Sequence, residues 1–309
     1  MKTIVTGGCG FIGSNIVDRL IKDGHEVIVI DDESADAHDQ FYYNDKAEYN
    51  LLSVQDHYDI IDKFEGVDFV FHLAAESRIQ PCIQNPLMAS LSNVVGTCSV
   101  LQAAREHGVK RVVYSSTSAA YGVKNPTPLK EDMPNDCLNA YSTSKVAGED
   151  LCKMFFRLYG LETVTLRYFN VYGERQPTKG QYAPVIGLFQ RQHAAGEPLT
   201  VVGDGLQTRD FTHVSDVVEA NMKAAFCDNS KALGETFNVG TGVNFSVMDI
   251  VKMVDKEEFY INLPQRLGEA RDTKADNSKA KDILGWEPKV KLEDWLNEST
   301  STISNASES

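Results

Sequence analysis

The sequence predicts an α/β protein: a doubly wound parallel sheet with a smaller C-terminal lobe that binds substrate. Three observations carry this reading. Apolar, β-branched runs at Lys2–Thr6, Val27–Ile30, Val67–Leu73, Val109–Ser115 and Thr163–Leu166 alternate with helix-like segments. Such alternation implies parallel strands joined by right-handed crossovers. Distinctive residues fall at the carboxyl ends of those runs: Thr6/Gly7, Asp31, Leu73/Ala74 and Ser115–Thr117. That is where ligands bind in open α/β sheets. After Tyr172 the style changes, with Gly173, Gly180, Pro184, Gly196, Pro198, Gly203 and Gly205 breaking the chain often.

The elements follow in order. Gly7-Gly8-Cys9-Gly10-Phe11-Ile12-Gly13 links the first strand to an amphipathic segment through Leu20, and the second strand ends in Asp31. Strand, glycine turn, helix, strand and acid together form a dinucleotide signature. Gly7, Gly10 and Gly13 allow a tight turn and close approach of a pyrophosphate, with Phe11 and Ile12 opening the helix whose N-terminus receives it. Asp31 stands where an acid accepts hydrogen bonds from an adenosine ribose. Its charge disfavours a 2′-phosphate, so NAD is expected rather than NADP. Glu33 to Asn50 has no clear period and reads as a loop. Leu91 to His107 and Tyr141 to Leu158 read as helices. Ala74 and Ala75 are small enough to let a cofactor approach. Ser115-Ser116-Thr117 is either plain turn chemistry or a hydroxyl placed for a reacting oxygen.

In the second half, Val185 to Ala195 reads as a helix and Phe237 to Gly240 as a late strand. Ser246 caps a helix to about Asp255, Arg266 to Asp276 is a charged loop, and Ser278 to Leu284 is a short helix ending at Gly285. The expected domains are residues 1–172 plus about 208–240 for the dinucleotide, and about 173–207 with 241–296 for the substrate. The Ser/Thr/Asn/Glu-rich tail from Asn297 is expected to be disordered.

Composition narrows the partners. At 309 residues the chain makes one large domain or two closely joined ones, and 42% hydrophobic content supports a sizeable core. A net charge of -14 repels phosphate backbones and anionic lipid, which argues against nucleic acid and membrane surfaces. Six scattered cysteines, with no CxxC and no Cys/His cluster, read as reduced cytosolic thiols without a metal site. No signal peptide and no bilayer-spanning apolar run are expected, hence a cytoplasmic location.

Tyr141 and Lys145 lie four apart, about one helical turn from each other on one face. An ammonium there depresses the tyrosine pKa and makes it a general base. By itself the pair is more often a half-buried tyrosine beside a solvated lysine.

Together these residues resemble the extended short-chain dehydrogenase/reductase superfamily, and within it the nucleotide-sugar 4-epimerases, from Thr6 to about Trp295. The motifs are the glycine turn, His72-Leu73-Ala74-Ala75, the Ser115–Thr117 strand end, Tyr141xxxLys145 and Arg167-Tyr168-Phe169-Asn170. Further on come Gly203-Asp204-Gly205, Arg209-Asp210-Phe211-Thr212-His213-Val214 and Leu284-Gly285-Trp286. The resemblance implies a Rossmann domain and a homodimer formed through the Leu91–His107 and Tyr141–Leu158 helices. It implies Tyr141 as the base for the sugar 4-hydroxyl. Lys145 would lower its pKa and hold the nicotinamide ribose, and Thr117 would hydrogen-bond the 4-oxygen. The 4-keto sugar formed by hydride loss to NAD turns over and takes the hydride back on its other face.

The resemblance further implies NAD contacts from Asp32, Asn50, Leu51, Leu73, Ala74, Ala75, Asn93, Ser115 and Tyr168. Asn170, Arg209 and Arg266 would hold the nucleotide diphosphate, and Glu269 its ribose, with Val185 in the same pocket. Ser118-Ala119-Ala120 replaces the acids that dehydratases and decarboxylases carry there. Thr273, four after Glu269, is small where a tyrosine would restrict the pocket. It admits the N-acetyl group of UDP-GlcNAc/UDP-GalNAc, alongside UDP-Glc/UDP-Gal. Three residues depart from the pattern. Asn50 replaces an aspartate touching adenine, and Val202 an aromatic near the base. Arg78 replaces a small or uncharged residue, a cation able to meet a sugar carboxylate, which keeps UDP-glucuronate open. A nucleotide-sugar oxidoreductase consuming NAD in net turnover is the rival enzyme class.

Overall fold

The computed structural model describes residues 1–35, 40–178 and 183–307. Among these, seven strands form one all-parallel sheet. β1 (Lys2–Thr6), β2 (Glu26–Asp31), β3 (Glu48–Leu51), β4 (Phe69–His72), β5 (Arg111–Thr117) and β6 (Glu162–Tyr168) are joined by an edge strand, Glu235–Val239. The order across the sheet is Glu235–Val239, β6, β5, β4, β1, β2, β3. This is the doubly wound Rossmann-like arrangement. β4 and β5 are buried along their whole length. That is why they read as continuous apolar runs rather than alternating ones.

Period-2 alternation sends neighbouring residues into two different cores. Val5, Val29, Phe71 and Val113 pack with the helices α1 (Phe11–Lys22) and Val214–Phe226 and with Trp286. Ile4, Ile28, Val70 and Val112 face the other way, onto Val100, Leu101, Cys152 and Phe155 of the helices Gly96–Glu106 and Ala140–Tyr159. A third core joins Phe189, Val201, Phe211, Ile250, Leu292 and Leu296 in the C-terminal half. There Leu199–Val202 pairs in parallel with Tyr260–Leu263, and Thr208–Asp210 antiparallel with Asn244–Ser246. Ser246 caps Val247–Val254 through a reciprocal capping box with Asp249.

The structure differs from expectation in several places. β3 lies inside the stretch read as a loop. Its residues are exposed or half-buried, so no apolar pattern marks it, and pairing with β2 holds it. The helix expected from Leu91 begins at Pro86, after an Asn85 cap, and carries a π turn over Leu91–Val95. With that start it reaches 21 residues. By length and composition Pro86–Glu106 passes as a membrane span, contrary to expectation, yet half of it is buried within the protein. The tail expected to be disordered from Asn297 is instead helical through Ser307, because Leu292 and Leu296, one turn apart, anchor that helix in the third core. Residues 308 and 309 lie outside the described residues.

Candidate active site

One cavity of about 610 Å³ runs across the carboxyl ends of the strands, from the glycine turn to Thr273. At its first end the turn leaves no room for side chains. Gly7 has φ +70, and a Cβ there would lie 2.7 Å from the Ala74 nitrogen. A Cβ on Gly13 would lie 2.0 Å from the Gly7 carbonyl oxygen. Gly10 starts α1 with no side-chain cap. The amide groups of the first turn therefore remain available to an anion. Asp31 accepts from the Cys9 amide at 2.9 Å and from the Glu33 amide at 2.9 Å. A carboxylate has lone pairs beyond those two, so it can still receive ribose hydroxyls. The cradle fits a dinucleotide.

Leu73 and Ala74 form the floor of the cavity, and a hydrogen-bond chain fixes them. The Thr97 hydroxyl donates to the Asn93 carbonyl at 2.7 Å, so it accepts from His72 Nε2 at 2.9 Å. His72 Nδ1 then accepts from Thr6 Oγ1 at 2.7 Å, and Thr6 Oγ1 accepts from the Leu73 and Ala74 amides, each at 3.2 Å. Bond directions thus assign the Nε2–H tautomer. Burial holds His72 neutral, with its pKa down at about 3.

Thr117 ends β5, and its hydroxyl accepts from the Ala119 amide at 3.1 Å. The Thr117 hydroxyl stands beside the Tyr141 phenol and eases its ionisation. Burial works against this and pushes Tyr141 up to about 12. Lys145 is buried one helical turn from Tyr141. Its ammonium lies 4.4 Å from the centroid of the Tyr114 ring, and burial brings its pKa down to about 8. The helical spacing puts the two side chains on one face, and the Tyr114 ring lies against the ammonium. Gly148 allows this close packing of helix on strand, since a Cβ there would meet the Tyr114 hydroxyl at 2.1 Å.

At the far end Arg209 lies 3.8 Å from Glu269, and Arg266 lies 3.9 Å from the same carboxylate. The Asn170 amide group donates to the Asp210 carbonyl at 3.2 Å. Asn139, the cap of Ala140–Tyr159, donates through Nδ2 to the Gly268 carbonyl at 2.8 Å, and Gln80 donates to the Leu267 carbonyl at 3.0 Å.

The cavity therefore gathers most of the residues singled out in the sequence. Gly7, Gly10, Phe11, Ile12 and Gly13 line it, as do Asp31, Asp32, Leu73, Ala74 and Ala75. Ser115, Thr117, Tyr141, Lys145 and Tyr168 form its middle; Arg78, Asn170, Val185, Arg209, Arg266, Glu269 and Thr273 form the rest. Four expected residues stand outside the lining. Asn50 turns to Glu48, Leu51 points to solvent at 68% exposure, and Leu52 and Val54 line the wall instead. Asn93 is fully buried and spends its amide on Glu76 and Ser144, bracing the wall from behind. Val202 ends an outlying strand, its carbonyl taken by Gln207. Sequence reasoning missed Asn139 and Glu76. The Asn139-Ala140-Tyr141-Ser142 cap pattern marked the first; nothing local marked the second.

A glycine cradle for a dinucleotide, opening through one cavity onto a tyrosine, a lysine and a threonine, defines a dinucleotide-dependent enzyme on a Rossmann-like sheet. The model of the NAD dependent epimerase/dehydratase family matches residues 3–240, and the chain belongs to that family. Its cofactor is NAD. The chain is 36% identical to a UDP-glucose 4-epimerase of Mycolicibacterium smegmatis over 321 aligned positions, covering 100% of both. The structure of a UDP-glucose 4-epimerase from Thermotoga maritima with UDP-glucose is similar at a TM-score of 0.91 and 34% identity, covering 100% of this chain and 99% of that one. A UDP-N-acetylglucosamine 4-epimerase from Methanobrevibacter ruminantium M1, in complex with UDP-N-acetylmuramic acid, reaches 0.88 at 32% identity over 98% of each chain.

Proposed function

We propose that the protein is a 4-epimerase of UDP-N-acetylhexosamines and UDP-hexoses, interconverting UDP-GlcNAc with UDP-GalNAc and UDP-Glc with UDP-Gal. The observation that carries this reading is the gathering of Thr117, Tyr141 and Lys145 in the middle of the cavity that begins at the glycine turn. Tyr141, as the phenolate, removes the proton of the sugar 4-hydroxyl and becomes a neutral phenol, while Thr117 hydrogen-bonds the sugar 4-oxygen. NAD, which the glycine turn, Asp31 and the Leu73–Ala74 floor would hold, would supply the reversible hydride chemistry at C4. Arg209, Arg266 and Asn170 hold the diphosphate, and Glu269 the ribose of the nucleotide. Ser118 and Ala119 line the wall beside Thr117. Neither is an acid that could assist loss of water, which favours epimerisation over dehydration.

The test is incubation of purified protein, with no NAD added, with UDP-GlcNAc, UDP-Glc and UDP-glucuronate, products being read by NMR. Conversion of UDP-GlcNAc supports the reading whole. Turnover that needs continuous NAD supply and yields an oxidised or reduced sugar overturns it in favour of a net oxidoreductase. Arg78 on the cavity wall favours a second reading, a UDP-glucuronate 4-epimerase, which turnover of that sugar alone would select.

Thr273 is 6% exposed and faces the cavity. Thr273→Tyr is expected to lower kcat/KM for UDP-GlcNAc by about tenfold or more, ~1.4 kcal/mol, and to leave UDP-Glc nearly unchanged. Equal loss for both sugars would remove Thr273 as the determinant. Thr117→Val keeps the shape and removes the hydroxyl; kcat is expected to fall on the order of 10²-fold with NAD content unchanged. A cytoplasmic homodimer completes the proposal. Leu87, Val95 and Leu158, 67%, 46% and 68% exposed on the two expected dimer helices, supply apolar surface for a second copy. Sedimentation of a monomer at micromolar concentration would count against it.

A further inference from the structure

Among the described residues, the most deeply buried ion pair takes no part in the chemistry above. Glu149 is 0% exposed and Arg167 2%. Arg167 grips Glu149 with Nε to Oε1 at 2.8 Å and Nη2 to Oε2 at 2.7 Å. Ser116 Oγ donates to Glu149 Oε1 at 2.5 Å. Ser116 and Arg167 are direct partners in the β5–β6 register, one step before Thr117 and Tyr168. Arg167 is itself fixed, by Asn135 at 2.8 Å and by the Tyr121 ring at 4.6 Å. Glu149 follows Lys145 by four residues and Tyr141 by eight, so all three share one face of the helix. The clamp therefore ties one turn of that helix to the strand end that carries Thr117.

We propose that Glu149 is a positioning residue for the reaction: held by Arg167 and Ser116, it sets the helix so that Tyr141 meets Thr117, and it supplies the countercharge to Lys145. This rests on the roles given above to Tyr141, Lys145 and Thr117. Stability alone is a poor reason for such a pair, because apolar replacements of buried ion pairs are often neutral or stabilising. The groups facing Lys145 are Glu149 and Cys152 on its own helix, Cys82 from Ile79–Gln84, His72 from β4 and the Tyr114 ring from β5. Burial pushes both thiols up and His72 down, leaving these three uncharged near neutral pH. Cys152, then Glu149, then Cys82 oppose the effect of burial on Lys145; with both thiols protonated, the carboxylate of Glu149, one turn along the same helix face, is the negative charge among them.

The experiment is a pH titration of 13Cε-lysine-labelled protein by NMR, with Lys145→Met assigning the signal, paired with kinetics. In Glu149→Gln the Lys145 midpoint is expected to fall by about one pH unit, and kcat by about tenfold or more with KM little changed. Arg167→Lys retains the cation and loses the two-pronged grip. It is expected to lower kcat by about tenfold with the Lys145 midpoint in place. An unmoved midpoint and a wild-type kcat in Glu149→Gln, with only Tm reduced, overturns the proposal. Should that variant not fold, a wild-type kcat in Arg167→Lys overturns the positioning role. The titration needs no sugar, so it stays readable even if wild-type protein turns over none of the proposed substrates, which would instead sink the 4-epimerase reading.

Discussion

Tyr141→Phe is expected to lower turnover by about 10²–10⁴-fold while the purified protein retains its NAD. The magnitude is that of losing a positioned general base. The ring contributes packing that phenylalanine preserves, and only the hydroxyl beside Thr117 is lost. Burial pushes that hydroxyl up to about 12 in the protein alone. Ionisation at neutral pH thus depends on neighbouring hydrogen bonds and charges, and the Thr117 and Tyr141 variants should not add: once the phenol is gone, Thr117→Val costs little more. NAD is measured by its absorbance after release from denatured protein. Wild-type turnover in Tyr141→Phe would remove Tyr141 as the base.

The second large effect is expected from Gly13→Ala. Its Cβ would sit 2.0 Å from the Gly7 carbonyl oxygen, a backbone atom that no rotamer change can move aside. Gly7 in turn stands against the Ala74 backbone, so opening the turn disturbs the cavity floor as well. Strain from such overpacking is typically ~1–3 kcal/mol, equivalent to roughly 10–10²-fold in NAD affinity if it falls on the binding conformation. The protein should purify largely free of NAD and melt several degrees lower. Full NAD content in this variant would mean that the cofactor does not use the turn.

Much of this was legible in the sequence because the backbone itself forced it. A turn that excludes Cβ atoms must be written with glycine, and buried strands must be written with continuous apolar residues. The substrate end was legible as separate residues, Asn170, Arg209, Arg266, Glu269 and Thr273; the convergence of the two arginines on Glu269 comes from folding residues 209 and 266 to one place. β3 escaped notice because a half-exposed edge strand carries no apolar pattern. Lys145 was placed on the right helix face, yet its charge settled over Tyr114, a residue 31 positions earlier that helical spacing does not reveal. Asn93 has the composition of a ligand-binding side chain, and three internal hydrogen bonds consume it.

The bond from Asn139 to the Gly268 carbonyl has a mechanical meaning. It fastens the start of the helix that bears Tyr141 to the loop that carries Arg266 and Glu269. Under the proposed function, a nucleotide that draws Arg266 and Glu269 inward therefore tugs on the scaffold of Tyr141. Grip at one end of the substrate is felt as alignment at the other, the means by which remote binding energy is spent on the reacting carbon. A sugar stripped of its nucleotide has no such handle, and should suffer in kcat as well as in KM.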